Sequence, residues 1–162
     1  MNRVGSHFRM LAGVAALVVA AVIAPTAALA SHPTILQRFA ADSGDNCRYG
    51  FTEGVLSWRA VHAPEPVAVD VNGKLVDRPT TPDPIACRDD RFYSIANFTA
   101  SASGVVVDRH SERVDNGVVS FVFVLGNSST IPRIDTVTVQ VCRLGIFGPG
   151  YCGKAQVFHP LP

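Results

Sequence analysis

The sequence predicts an all-β protein, a two-sheet antiparallel sandwich of about eight short strands with immunoglobulin-like or transthyretin-like topology, behind a signal-peptide helix. Three observations carry this. From Cys47 onward the apolar residues recur with a period of two. Clusters of Gly, Pro, Asn and Asp separate the apolar runs. No amphipathic stretch of useful length has the helical period, so strands follow strands without crossover helices. A small closed barrel is the alternative architecture.

The elements follow in order. Residues 31–46 read as a lead-in, with a short helical turn at most over 34–41 and turn chemistry at Asp42-Ser43-Gly44-Asp45-Asn46. Val55 to Val61 alternates, with Leu56, Trp58 and Ala60 on one face and Ser57 and Arg59 on the other. A buried Trp58 requires an acceptor for its indole N–H. Val67, Val69 and Val71 mark the next strand, and Asn72-Gly73 predicts a hairpin turn before Lys74-Leu75-Val76. Three prolines make 79–86 an extended connection.

Phe92, Ala96, Phe98 and Ala100 then share one strand face, against Tyr93, Asn97 and Thr99. Val105-Val106-Val107 is a further strand, and Asp115-Asn116-Gly117 a turn. Val118 to Leu125 is apolar on both faces apart from Ser120, which predicts a central, doubly covered strand. Val137, Val139 and Val141 face the core from a strand ending at Cys142, and 154–158 closes the domain.

Length and charge narrow the function classes. The chain has 162 residues and formal net charge +1, enough for one domain. Residues 1–30 form a tripartite export signal: Arg3 and Arg9, the apolar run Met10–Ala24, Pro25, and small residues at Ala28 and Ala30. Cleavage is expected between Ala30 and Ser31. The apolar run is about 15 residues, short of the roughly 20 that span a bilayer. The division expected is therefore signal 1–30, lead-in 31–46 and a disulfide-stapled domain 47–162, secreted and without membrane attachment after cleavage. The remainder is close to neutral, so no basic field exists for nucleic acid.

Cys47, Cys87, Cys142 and Cys152 all follow the signal, and an even count in a small exported domain reads as two disulfides. No C-x-x-C pair supports zinc, and no metal or cofactor is expected. Three connectivities exist, and Cys47–Cys87 with Cys142–Cys152 is favoured because Gly148-Pro149-Gly150 can turn the chain back. These closures contribute about 4 and about 3 kcal/mol respectively.

No catalytic constellation emerges. There is no G-x-S-x-G elbow. His62, His110 and His159 read as local or exposed, His110 in a polar loop. His110-Ser111-Glu112 has the H-x-E spacing of zinc deaminases without their P-C-x-x-C. Asp89 and Asp90 are adjacent and point to opposite faces of an extended chain, which prevents convergence as a glycosidase pair. Asp42, Asp45 and Asn46, or Asp89, Asp90 and Asp115, supply oxygens but lack the EF-hand pattern. The candidate binding loop lies between the last two cysteines: Arg143, Leu144, Ile146, Phe147 and Tyr151, on a glycine-rich segment pinned at both ends.

Cys47-Arg48-Tyr49-Gly50, Trp58, Asn72-Gly73, Cys87-Arg88-Asp89-Asp90-Arg91, Asn97-Phe98-Thr99-Ala100, Asp115-Asn116-Gly117, Val139-Gln140-Val141-Cys142-Arg143 and Tyr151-Cys152-Gly153 together resemble small secreted proteins of actinomycetes. The resemblance brings no catalytic or ligand assignment. The subtilisin inhibitors of those bacteria are similar in size and have two disulfides, but the cysteine spacing in this chain departs from theirs.

The expectation is thus a non-enzymatic extracellular module that binds an extracellular protein or a cell-envelope polymer. A protease inhibitor presenting Arg143 or Leu144 is one alternative, and a small hydrolase using Asp89, Asp90 or His110 is another.

Overall fold

A computed structural model describes residues 34–59, 68–78, 87, 91–126, 133–145 and 149–160. The chain divides into two units, Met1–Ala30 and Ser31–Pro162, and the strands all belong to the second. The described residues form nine strands and no helix: β1 Thr34–Asp42, β2 Gly50–Arg59, β3 Val69–Asp77, β4 Phe92–Ala102, β5 Val105–Val114, β6 Val118–Leu125, β7 Thr136–Gly145, β8 Tyr151–Cys152 and β9 Gln156–Phe158. One sheet runs β1-β2-β3-β6; the other runs β5-β4-β7-β8, with β9 also paired to β7. All pairings are antiparallel. The result is the two-sheet sandwich. Its first three strands form a meander within one sheet, a connectivity distinct from the ABED/CFG order of immunoglobulin constant domains.

Large rings meet small side chains in the core. Phe98 sits on β4 between Ala96 and Ala100, all fully buried. The two alanines leave room around it for three rings of the opposite sheet, Phe39 at 5.6 Å, Phe121 at 5.4 Å and Phe123 at 5.1 Å, all edge-on. Val137, Val139 and Val141 of β7 and Leu56, Val69, Val71 and Leu75 of β2 and β3 fill the rest. Trp58 is buried, and its indole N–H donates to Gln37 Oε1 at 3.0 Å, which is the acceptor its burial demands.

Four sequence expectations are corrected. Thr34–Asp42 is not a lead-in with a helical turn but a full edge strand, paired to β2 from Thr34↔Arg59 to Asp42↔Phe51. Ile35, Gln37, Phe39 and Ala41 alternate inward there, a pattern obscured by Leu36, which points out. Asn72-Gly73 makes no hairpin: β3 runs straight through it, and neither residue has a positive φ. Gly73 is needed for space instead, since a Cβ there would meet the Phe121 and Phe39 rings at 2.9 Å. Gly54, its cross-strand partner, is likewise covered by the Phe39 ring. β6 is not central: it pairs with β3 alone, and its outward valines make it apolar on both sides. His110 lies on β5, not in a loop.

Candidate functional site

Among the described residues, those singled out from the sequence do not form one site. Cys47–Cys87 and Cys142–Cys152 are both bonded, in the favoured pairing. Two disulfides fit an oxidising compartment. Of the candidate loop, Ile146 and Phe147 lie outside the described residues, as do Ala30 and Ser31 of the cleavage site and Asp89 and Asp90. Tyr151 is 38% exposed. Its hydroxyl donates to Asp45 Oδ2 at 3.4 Å, and its ring lies 6.0 Å from Phe92. Leu144 is half-buried in β7, opposite Tyr93.

Arg143 overturns its assignment. It points into the sandwich, 1% exposed, and pairs with the equally buried Asp77 of the other sheet. The guanidinium donates to Ser94 Oγ at 3.2 Å and to the Phe92 carbonyl at 3.4 Å, and stands 4.8 Å from the Tyr49 ring centroid. Asp77 also accepts from Ser94 Oγ at 2.8 Å and from the Asn116 N–H at 3.0 Å. Burial pushes the Arg143 guanidinium down from its ordinary range, opposed by Tyr151, Asp45 and Tyr49. The inhibitor alternative loses its geometry: Arg143 is a buried inter-sheet tie, and Leu144 lies in a hydrogen-bonded strand rather than a presented loop.

His110 lies where β5 packs on β6. Its ring stacks on Phe123 at 3.7 Å, and Nε2 contacts Glu112 Oε1 at 2.6 Å. Asp108 shares that side of β5 and accepts the Gly126 N–H at 2.8 Å, so its carboxylate closes a turn. Among the described residues no group of three His, Cys, Asp or Glu could hold a metal ion. Asp42 and Asp45 are likewise occupied locally, by the Gly44 and Tyr49 N–H groups at 3.0 and 3.2 Å.

The strongest surface feature is one that the sequence pattern did not reveal: the outer face of the four-stranded sheet. The registers place its outward residues in four rows across β1, β2, β3 and β6: Leu36-Ser57-Asp70-Val124, Arg38-Val55-Asn72-Val122, Ala40-Glu53-Lys74-Ser120 and Asp42-Phe51-Val76-Val118. A groove of about 890 Å³ crosses the middle rows. Small side chains, Ala40, Ser57 and Ser120, leave it open, and Gly54 and Gly73 contribute only backbone to its floor. Lys74 and Glu53 pair across it at 2.8 Å. Around it Leu36 is 67% exposed, Val122 76% and Val118 46%. The alternation of 34–42 was the signal available for this face. Comparison with protein families, with curated proteins and with solved structures finds no match.

Proposed function

We propose that this protein is exported under its signal at 1–30 and acts as a non-enzymatic binding module, holding an extracellular protein on the outer face of the four-stranded sheet. The observation that carries this reading is that Leu36, Val122 and Val118 are aliphatic side chains left exposed on the same sheet face as the groove. Exposed aliphatics beside the Lys74–Glu53 pair, with Arg38 also lining the groove, suit the mixed apolar and polar surface of a protein partner. A sugar polymer would call for open aromatic platforms, and the face's one aromatic, Phe51, is covered by the Arg48 guanidinium at 4.9 Å.

The test places a photo-crosslinking residue at Val122 or, on the opposite sheet, at Thr138, in protein made by the producing cell. The reading expects one recurring extracellular protein joined through position 122 and absent from 138, with the adduct lost in Leu36→Glu. Equal adducts from both positions, or none from 122, would overturn it.

A further inference from the structure

The two disulfides differ in a way that bears on chemistry. Cys47–Cys87 joins two segments outside the strands, with Cys87 buried and Cys47 half-buried. Cys142–Cys152 is a cross-strand pair on the outer face of the five-stranded sheet, tying the two-residue β8 to β7. Its two sulfurs are unequal: Cys152 is exposed, whereas Cys142 is 7% exposed. The buried sulfur has a donor, since Asn97 Nδ2 lies 3.7 Å from Cys142 Sγ. The amide is held in that orientation by Ser111 Oγ, which donates to Asn97 Oδ1 at 2.8 Å.

We propose that Cys142–Cys152 is a thiol-exchange site with a fixed polarity. An external thiolate attacks the accessible Cys152 Sγ. The electron pair of the S–S bond passes to Cys142 Sγ, which leaves as a thiolate, and Cys152 carries the incoming thiol as a mixed disulfide. A disulfide sulfur is a weak acceptor and a thiolate a strong one, so the Asn97 N–H···S bond strengthens as the bond breaks. Exchange is faster when the departing thiolate is stabilised. Return attack by Cys142 on Cys152 Sγ expels the incoming thiol and restores the pair. A second external thiolate instead completes the reduction, leaving both cysteines as thiols and the external pair oxidised to its disulfide.

The surroundings make the step local rather than an unfolding event. The Gly153 N–H donates to the Val141 carbonyl at 2.9 Å, and Gln140 Nε2 donates to the Gly153 carbonyl at 3.0 Å. The chain after Cys152 therefore stays on the sheet when the sulfur bridge opens. Before Cys152, Tyr151 pairs with Arg143, and its ring and hydroxyl lie beside Phe92 and Asp45 over the Arg143 end of the sandwich.

The test incubates the intact oxidised protein with free cysteine at mildly alkaline pH, quenches with acid, alkylates, and maps peptides by mass spectrometry. The proposal expects cysteinyl adduct on Cys152, alkylation on Cys142, and opening of this bridge about tenfold or more ahead of Cys47–Cys87. Asn97→Ala should slow the opening by about threefold by raising the leaving-group pKa, and Asn97→Asp, which sets a carboxylate there, should slow it further. Neither change should alter the rate at Cys47–Cys87. Adduct mainly on Cys142, equal opening of both bridges, or no exchange at Cys152 would overturn the proposal, and the first two are read on the unsubstituted protein.

Discussion

Replacing the charge of Asp77 while keeping its shape, in Asp77→Asn, should be among the most damaging single changes in the protein. Both Asp77 and Arg143 are 1% exposed, so neither has water to fall back on. Removing one partner of such a pair leaves the other charge buried, at a cost of about 3–5 kcal/mol. Asp77→Asn removes the buried carboxylate and leaves the guanidinium the Ser94 hydroxyl, the Phe92 carbonyl and the Tyr49 ring. Arg143→Met leaves the carboxylate the Ser94 hydroxyl and the Asn116 N–H, so both single variants should fall at the lower end, about 3 kcal/mol. For a domain of this size that lowers the melting temperature by about 10 °C. The double variant removes both charges and should be more stable than the sum of the singles by about 2 kcal/mol or more. Urea unfolding followed by the fluorescence of Trp58, the single tryptophan, measures all four proteins. Losses below about 1 kcal/mol for each single variant, or strict additivity, would refute the reasoning that the pair is a desolvated inter-sheet tie.

Two further outcomes follow from the same geometry. Gly73→Ala should cost about 2 kcal/mol, because its Cβ must displace backbone or the Phe39 and Phe121 rings, whereas Gly117→Ala, which meets only ordinary contacts, should gain about 0.5 kcal/mol; paired urea melts decide it. Asp135 is held below the ordinary carboxylate range, first by the Ser103 N–H at 2.6 Å and then by the Thr136 hydroxyl. A depressed folded-state pKa contributes stability above the unfolded carboxylate range, lost as pH falls through the folded value. Asp135→Asn should flatten that acid limb of a stability-against-pH curve; an unchanged limb would show that the turn bond at Ser103 does not matter.

The parts of the fold legible in the sequence were those where burial and period coincide. Ala96, Phe98 and Ala100 on β4, and Val137, Val139 and Val141 on β7, face the core as their alternation requires. Trp58 needed an acceptor, and Gln37 is it. The misreadings have a common cause: several signals were answered by tertiary contacts that no local window contains. Asn72-Gly73 carries turn chemistry, yet the glycine serves the rings of Phe39 and Phe121, both distant in sequence. Val118–Leu125 reads as central because its outward residues apart from Ser120 are valines, and two of them, Val118 and Val122, are exposed on the outer face. Arg143 sits beside a cysteine in what reads as a loop, and its partner Asp77 comes from the other sheet. The candidate site was hidden for the same reason, since its four rows draw on β1, read as a lead-in, and β6, read as covered on both faces.

The proposed partner would be met by the outer face of the four-stranded sheet. Hydroxyl-radical footprinting of the protein in culture fluid of the producing cell, against the purified chain, reads this directly through the oxidation of Leu36, Val55, Val118 and Val122. Protection of these four, with Val157 on the other sheet unchanged, is the predicted result. Protection of Val157 and the five-stranded face, with the groove residues oxidised as freely as in the isolated protein, would contradict it.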